Sequence, residues 1–167
     1  MSEKTIKAHV LVEYLRMPKQ SFQSWIRRGL FGETQRKQGA GRERTFTYEE
    51  VLFARIVRNL VDLTKVRELA LLFGARLDVA EDLRSSIQDL LKRPLKYFPS
   101  PKGTVVEGRW LLLSWRNGEL AISPQVGEAP QHEPLKKKAG GKAVCFITIP
   151  FLDLANEVSD DFDARAE

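Results

Sequence analysis

Gln20, Gln23, Ser24 and Arg27 recur at i, i+3, i+4 and i+7, with Lys19 just ahead of them and Arg28 beside them. On a helix that spacing sets the four side chains along one face. Each can donate or accept hydrogen bonds, and none is acidic. In the major groove of duplex DNA a glutamine can pair bidentately with adenine, an arginine with guanine, and a serine or lysine with bases or phosphates. A helix face that merely meets water is expected to mix in Asp or Glu, for solubility and for i, i+4 pairs. An ordinary solvated face is the alternative reading of the same residues.

The surrounding charge favours an anionic partner. Between Arg16 and Arg44 lie eight basic residues (Arg16, Lys19, Arg27, Arg28, Arg36, Lys37, Arg42, Arg44) against Glu33 and Glu43, a local net of +6. From Asp153 to Glu167 six acids stand against the single base Arg165, a local net of −5. Such asymmetry suggests a polyanion for the N-terminal part, with an acidic tail held away from it. A solvated charged surface is the bland reading, and charge alone does not decide between the two.

Composition excludes other classes. With 43% hydrophobic and 29% charged residues in 167, the chain has room for one globular domain or two small ones and is not disordered throughout. No apolar run approaches the ~18 residues of a membrane helix. The stretch MSEKTIKAH carries lysines but no apolar core follows it, so it does not read as a secretory leader. Cys145 is the only cysteine, which excludes an internal disulfide framework and a thiolate-rich metal site in one chain, and suits a reducing, cytoplasmic, nucleoid-associated setting. Cys145 itself reads as inert core. His9 and His132 lack metal-ligand spacing and read as surface residues. Trp110 and Trp115 read as core packing rather than pocket walls, and Lys136, Lys137, Lys138 and Lys142 as a solvated loop. No Ser-His-Asp, Walker-type or paired-carboxylate arrangement occurs, so neither an enzyme nor a cofactor or metal is expected.

The elements that would position the row follow from periodicity. Ala8, Leu11, Val12 and Leu15 predict a short helix, which Pro18 closes while opening the next. In that second helix Phe22, Trp25 and Ile26 form the buried face, and Gly29 stands where a left-handed C-cap is wanted. The turn between them, about three residues, has the length used in helix-turn-helix units. Residues 32 to 44 carry Gly32, Gly39, Gly41 and four bases, and read as a flexible basic loop or two-stranded wing. Thr47 and Glu50 then form a capping box before a helix whose apolar arc (Val51, Leu52, Phe53, Ile56, Val57, Leu60, Val61) is wide enough to need cover on more than one side. Thr64 caps a further helix with Val66, Leu69, Ala70 and Phe73 as its stripe and Gly74 as its stop. Asp78 and Glu81 cap one reaching Arg93, whose seam of Val79, Leu83, Ile87, Leu90 and Leu91 can pair with a copy of itself or pack on its own chain.

After Pro94 the pattern changes. Pro99, Pro101 and Gly103 read as a linker. Residues 110 to 115 form a strand, Asn117-Gly118 a hairpin turn, and residues 119 to 122 the returning strand, with Arg116 and Glu119 able to pair across the turn. A Pro-, Gly- and Lys-rich mobile loop follows over residues 123 to 142. Residues 143 to 149 form a third strand, and Pro150 starts a helix with Phe151, Leu154, Ala155 and Val158 on one side.

The stretch VEYLRMPKQSFQSWIRRGLF (residues 12–31) resembles the first two helices of MerR-family regulators, and equally those of the related excisionase-like domains. GRERTFTYEEV (residues 41–51) is similar to the family's wing and third helix. The likeness covers residues 5–75 and rests on Gly29-Leu30, on Arg44 and Phe46 closing the wing, and on the capped, Glu-rich helix start. Pro18 replaces the usual Ser or Thr cap, Arg16 stands where glycine is common, the helix of residues 77–93 is short for a dimerisation helix, and the cysteine pairs of metal-sensing members are absent. The resemblance implies a winged helix with its second helix in the major groove. It also implies Arg42 and Arg44 on flanking phosphates or in the minor groove, and two copies on a palindrome.

The expected fold is therefore α+β: a MerR-like winged helix-turn-helix (residues 1–76), a linking or dimerisation helix (77–94), and a small antiparallel sheet with a C-terminal helix (95–167) carrying a mobile loop (124–142). The expected function is sequence-specific double-stranded DNA binding as a homodimeric transcriptional regulator, with no membrane association and an effector left open. Lys19, Gln20, Gln23, Ser24 and Arg27 would read or grip the groove, and Arg28, Arg36, Lys37, Arg42 and Arg44 would meet phosphates. Plain solubilising charge is the alternative for Arg36, Lys37 and Arg42. An excisionase-like architectural protein of recombination or partition complexes, and a protein-interaction adaptor, are the alternative functions.

Overall fold

The computed structural model describes residues 4–32, 43–64, 77–100, 103–116, 119–127 and 145–166. It is mixed α+β, with five helices, two two-stranded antiparallel ribbons and one three-stranded antiparallel sheet among the described residues. Two compact units divide the chain: Met1–Arg84 together with Ala155–Glu167, and Ser85–Leu154.

In the first unit, strand β1 (Ile6–Lys7) leads directly into helix α1 (Ala8–Tyr14), and a four-residue turn leads on to helix α2 (Lys19–Arg27). Leu11 and Leu15 are buried, whereas Ala8 and Val12 on the same stripe are only half-buried. The turn needs a left-handed residue, and Arg16 supplies it with φ +48°, the only positive φ at a non-glycine among the described residues. Pro18 then sits at the α2 N-cap with φ −61°, its carbonyl accepting from the Phe22 N–H at 3.2 Å. At the other end Gly29 (φ +79°) closes the helix: its N–H donates to Ile26 O at 2.9 Å, and the Leu30 N–H donates to Trp25 O at 3.1 Å. That is the paired bonding of a Schellman stop, which a residue with a Cβ adopts only under strain.

The departing chain plants Leu30 and Phe31 in the core. Phe31 meets Phe22, Phe46 and Phe53 edge-on at 5.5, 5.2 and 5.9 Å between ring centres, and Phe22 meets Phe46 at 5.5 Å. Each such contact adds about 0.5–1.5 kcal/mol beyond the area it buries. Strand β2 (Thr45–Phe46) pairs antiparallel with β1, placing Ile6 opposite Phe46 and Lys7 opposite Thr45, and the Ala8 N–H donates to Arg44 O at 2.9 Å. The expected capping box is present at the start of helix α3 (Tyr48–Thr64): the Thr47 N–H donates to Glu50 Oε2 at 2.9 Å, and the Glu50 N–H to Thr47 Oγ1 at 3.4 Å.

Helix α3 is buried on more than one side, as its wide apolar arc requires, and part of the cover comes from the C-terminus. Helix α5 (Phe151–Asp163) follows helix α4 (Leu77–Lys92) and the strands described below, and its residues from Ala155 on belong to the first unit. Tyr48 Oη donates to Ala155 O at 2.7 Å, and its ring meets Phe162 at 5.7 Å. Arg55 pairs with Glu157 at 2.9 Å and Lys4 with Asp163 at 2.8 Å, while the Arg55 and Arg165 guanidinia lie 5.6 and 5.7 Å from the Tyr14 ring centre. The acidic tail is thus not held away from the basic N-terminal unit. Ala155, Phe162 and two of its carboxylates meet residues of that unit.

One detail of α4 differs from expectation. It begins at Leu77, so Asp78 lies inside its first turn and is not its cap. Of its seam, Val79, Leu83, Ile87 and Leu90 are buried in the chain itself, the second of the two alternatives for these residues, and Leu91 is half-exposed. The helix expected after Thr64 and residues 33–42 of the expected wing lie outside the described residues.

The second unit holds a ribbon of β3 (Tyr97–Ser100) and β4 (Gly103–Val106), with Tyr97 opposite Val106, where the prolines had suggested a linker. In a two-stranded ribbon each strand is an edge, so Pro99 can turn its missing donor outward without breaking the pairing. Strand β5 (Arg109–Arg116) is central in the three-stranded sheet, between β6 (Glu119–Val126) and β7 (Cys145–Pro150). Its register places Arg116 opposite Glu119 and Leu111 opposite Ile149. β6 extends past the predicted Ile122 through Pro124 to Val126, again tolerable because it is an edge strand, so residues 123–126 are strand where a loop was expected, and residues 128–142 of that loop lie outside the described residues. Buried Arg109 donates through Nη1 to Leu90 O and through Nη2 to Arg93 O, setting a cation on the carbonyl end of α4.

Candidate nucleic-acid interface

Helix α2 turns Phe22 and Ile26 inward and leaves Lys19, Gln20, Gln23, Arg27 and Arg28 exposed, with Ser24 half-buried. At ~100° per residue the row Gln20, Gln23, Ser24, Arg27 fills one arc opposite the buried pair. Trp25, expected in the core, is half-exposed because its position falls on the flank between the two arcs. No acid occurs between Lys19 and Arg28. Among the described residues none of Lys19, Arg27 and Arg28 takes part in an ion pair.

The β1–β2 ribbon delivers Arg44 to the same side. Arg44 lines a depression of about 230 Å³ with Gln23, Ile26 and Arg27. It also lines a larger cleft of about 330 Å³ with Ala8, His9, Val12, Lys19, Phe22, Gln23, Ile26 and Glu43. The structure therefore brings Lys19, Gln23, Arg27 and Arg44 into one surface. Gln20, Ser24 and Arg28 follow on the same short helix, and Arg36, Lys37 and Arg42 lie outside the described residues.

Sequence reasoning gave no role to three groups at this surface. Glu43 Oε1 lies 3.7 Å from His9 Nδ1, and Glu43 Oε2 lies 3.9 Å from Lys7 Nζ. The pairing of residues 6–7 with 45–46 carries them there. Two-residue strands leave no periodic signal, so no pattern in the sequence could have found them.

Contacts behind the surface tie α2 to the core. Arg84 donates through Nη1 to Leu30 O, just after the α2 stop, and its guanidinium lies 5.6 Å from the Phe53 ring centre. Burial pushes the Arg84 pKa down, opposed by Glu81 and Glu50. On the α5 side, burial and then the neighbouring Tyr14 push Tyr48 up to about 12. Burial also raises Tyr14, with Arg55 working against it. Both phenols stay protonated near neutral pH, so Tyr48 remains the donor to Ala155 O.

Among the described residues no cluster of three or more His, Cys, Asp or Glu side chains could hold a metal, and no helix is long and apolar enough to cross a membrane. No protein-family model, curated protein or solved structure matches the chain.

Proposed function

We propose that this chain is a sequence-specific double-stranded DNA-binding protein, a cytoplasmic transcriptional regulator of MerR-like winged-helix type. α2 lies in the major groove, where Gln20, Gln23, Ser24 and Arg27 meet base edges and Lys19 grips beside them. Arg28 and Arg44, with Arg36, Lys37 and Arg42 of the wing, meet phosphates. The observation that carries this reading is the exposed, carboxylate-free row on α2 with the Arg44 side chain set next to Gln23 and Arg27. Binding energy, not bond chemistry, does the work. Selection of bound duplexes from a random pool tests it: a defined consensus is expected, and an unenriched pool contradicts it.

One observation favours a second arrangement on DNA. The α4 seam is buried in its own chain, so a homodimer on a palindrome has to use another surface. An excisionase-like protein assembling side by side on direct repeats has no need of that seam. A footprint separates the two, since a palindrome protects one symmetric site and direct repeats extend protection in register as protein is added.

A further inference from the structure

The cleft beside α2 has an apolar floor (Ala8, Val12, Phe22, Ile26) and a polar rim of His9, Lys19, Gln23, Glu43 and Arg44. Glu43 is the one carboxylate among the residues lining it. An acid at the edge of a surface that must approach a polyanion opposes binding unless it has a use, and its position suggests one. Its two carboxylate oxygens face His9 Nδ1 at 3.7 Å and Lys7 Nζ at 3.9 Å, too long for strong hydrogen bonds, and the carboxylate is 56% exposed. Loose, solvated pairs of this kind hold little energy and exchange readily for a competing anion.

We propose that Glu43 is an internal phosphate stand-in: in the free protein its carboxylate occupies the place, between Lys7 and His9, that a DNA backbone phosphate takes in the complex. This rests on the DNA-binding reading and adds to it a phosphate site formed by the Lys7 and His9 side chains, together with an electrostatic brake on non-specific binding. The exchange is anion for anion. The phosphate takes over the contacts to Lys7 and His9, and the displaced carboxylate takes up a solution cation. Uptake of that cation offsets one of the counterions released from the DNA, so the wild-type protein has a shallower salt dependence than its bases alone would give.

The test compares full-length wild type, Glu43→Gln and Asp160→Asn on a panel of unrelated duplexes across a salt series. Asp160 is exposed on α5 and does not line the cleft, so Asp160→Asn controls for net charge. Glu43→Gln is expected to bind every duplex roughly two- to fivefold more tightly at moderate salt. Its plot of log K against log[salt] is expected to steepen by about one. Asp160→Asn is expected to leave the slope unchanged. An unchanged slope in Glu43→Gln, a loss confined to duplexes bearing one base pair, or an equal effect of Asp160→Asn would each overturn the proposal while leaving DNA binding intact. Wild-type protein that binds no duplex in a salt-dependent manner brings down the DNA-binding reading itself, and this inference with it.

Discussion

Replacing Arg27 with alanine separates base reading from general attraction to DNA. Arg27 is exposed in the last turn of α2, and no hydrogen bond or ion pair is formed by its guanidinium among the described residues. Its loss therefore opens no cavity and strands no buried partner, and the change in folding stability should stay within about 0.5 kcal/mol. On DNA, a bidentate arginine–guanine pair is worth about 1–3 kcal/mol of discrimination, or roughly five- to 150-fold in affinity near room temperature. The assay is fluorescence anisotropy with the selected duplex and a set of single-base-pair variants. Arg27→Ala should lose that factor on the parent duplex and lose its preference at one base pair, leaving the other positions as they were. The companion Arg44→Ala should weaken all duplexes alike and flatten the salt slope by about 0.9. An equal loss on every variant for Arg27→Ala would refute direct readout by this side chain.

Other consequences follow from the frame. Gly29→Ala forces a Cβ into the left-handed α2 stop and should cost about 1–2 kcal/mol, read as a lower urea midpoint at unchanged m-value. Thr47→Ala removes half of the α3 capping box and should cost about 1 kcal/mol by the same measurement. Arg109→Met leaves Leu90 O and Arg93 O without their donor and should cost about 2–3 kcal/mol, with little effect on duplex binding. Tyr48, with a folded pKa pushed up to about 12 from an ordinary 10.0, keeps its full contribution below pH 10 and loses it as pH rises toward 12. The urea midpoint should fall across that window, and the fall should be smaller in Tyr48→Phe.

What could be read from the sequence was local. The α2 row, the Gly29 stop, the Thr47–Glu50 box and the apolar segments of the three-stranded sheet are each defined within a few residues, where residue type and backbone preference act together. The docking of α5 onto α3 escaped because Tyr48 and Ala155 are 107 positions apart and no local pattern links them. The acidic composition of the tail even argued the opposite, since pairing with Arg55 and Lys4 is as natural for those carboxylates as separation from them. The β3–β4 ribbon was hidden by prolines that exclude a central strand but not an edge. Glu43 and His9 came together through a ribbon too short to leave a periodicity. The α4 seam was legible as apolar spacing, which cannot say whether the partner is the chain itself or a copy.

The most direct measurement is the affinity of the full chain for its selected duplex and for a scrambled duplex of equal length, followed across a salt series. If α2 reads bases within a cationic frame, affinity for both duplexes falls steeply with salt, and the selected one keeps an advantage of several orders of magnitude. Equal affinities, or binding indifferent to salt, would contradict the account.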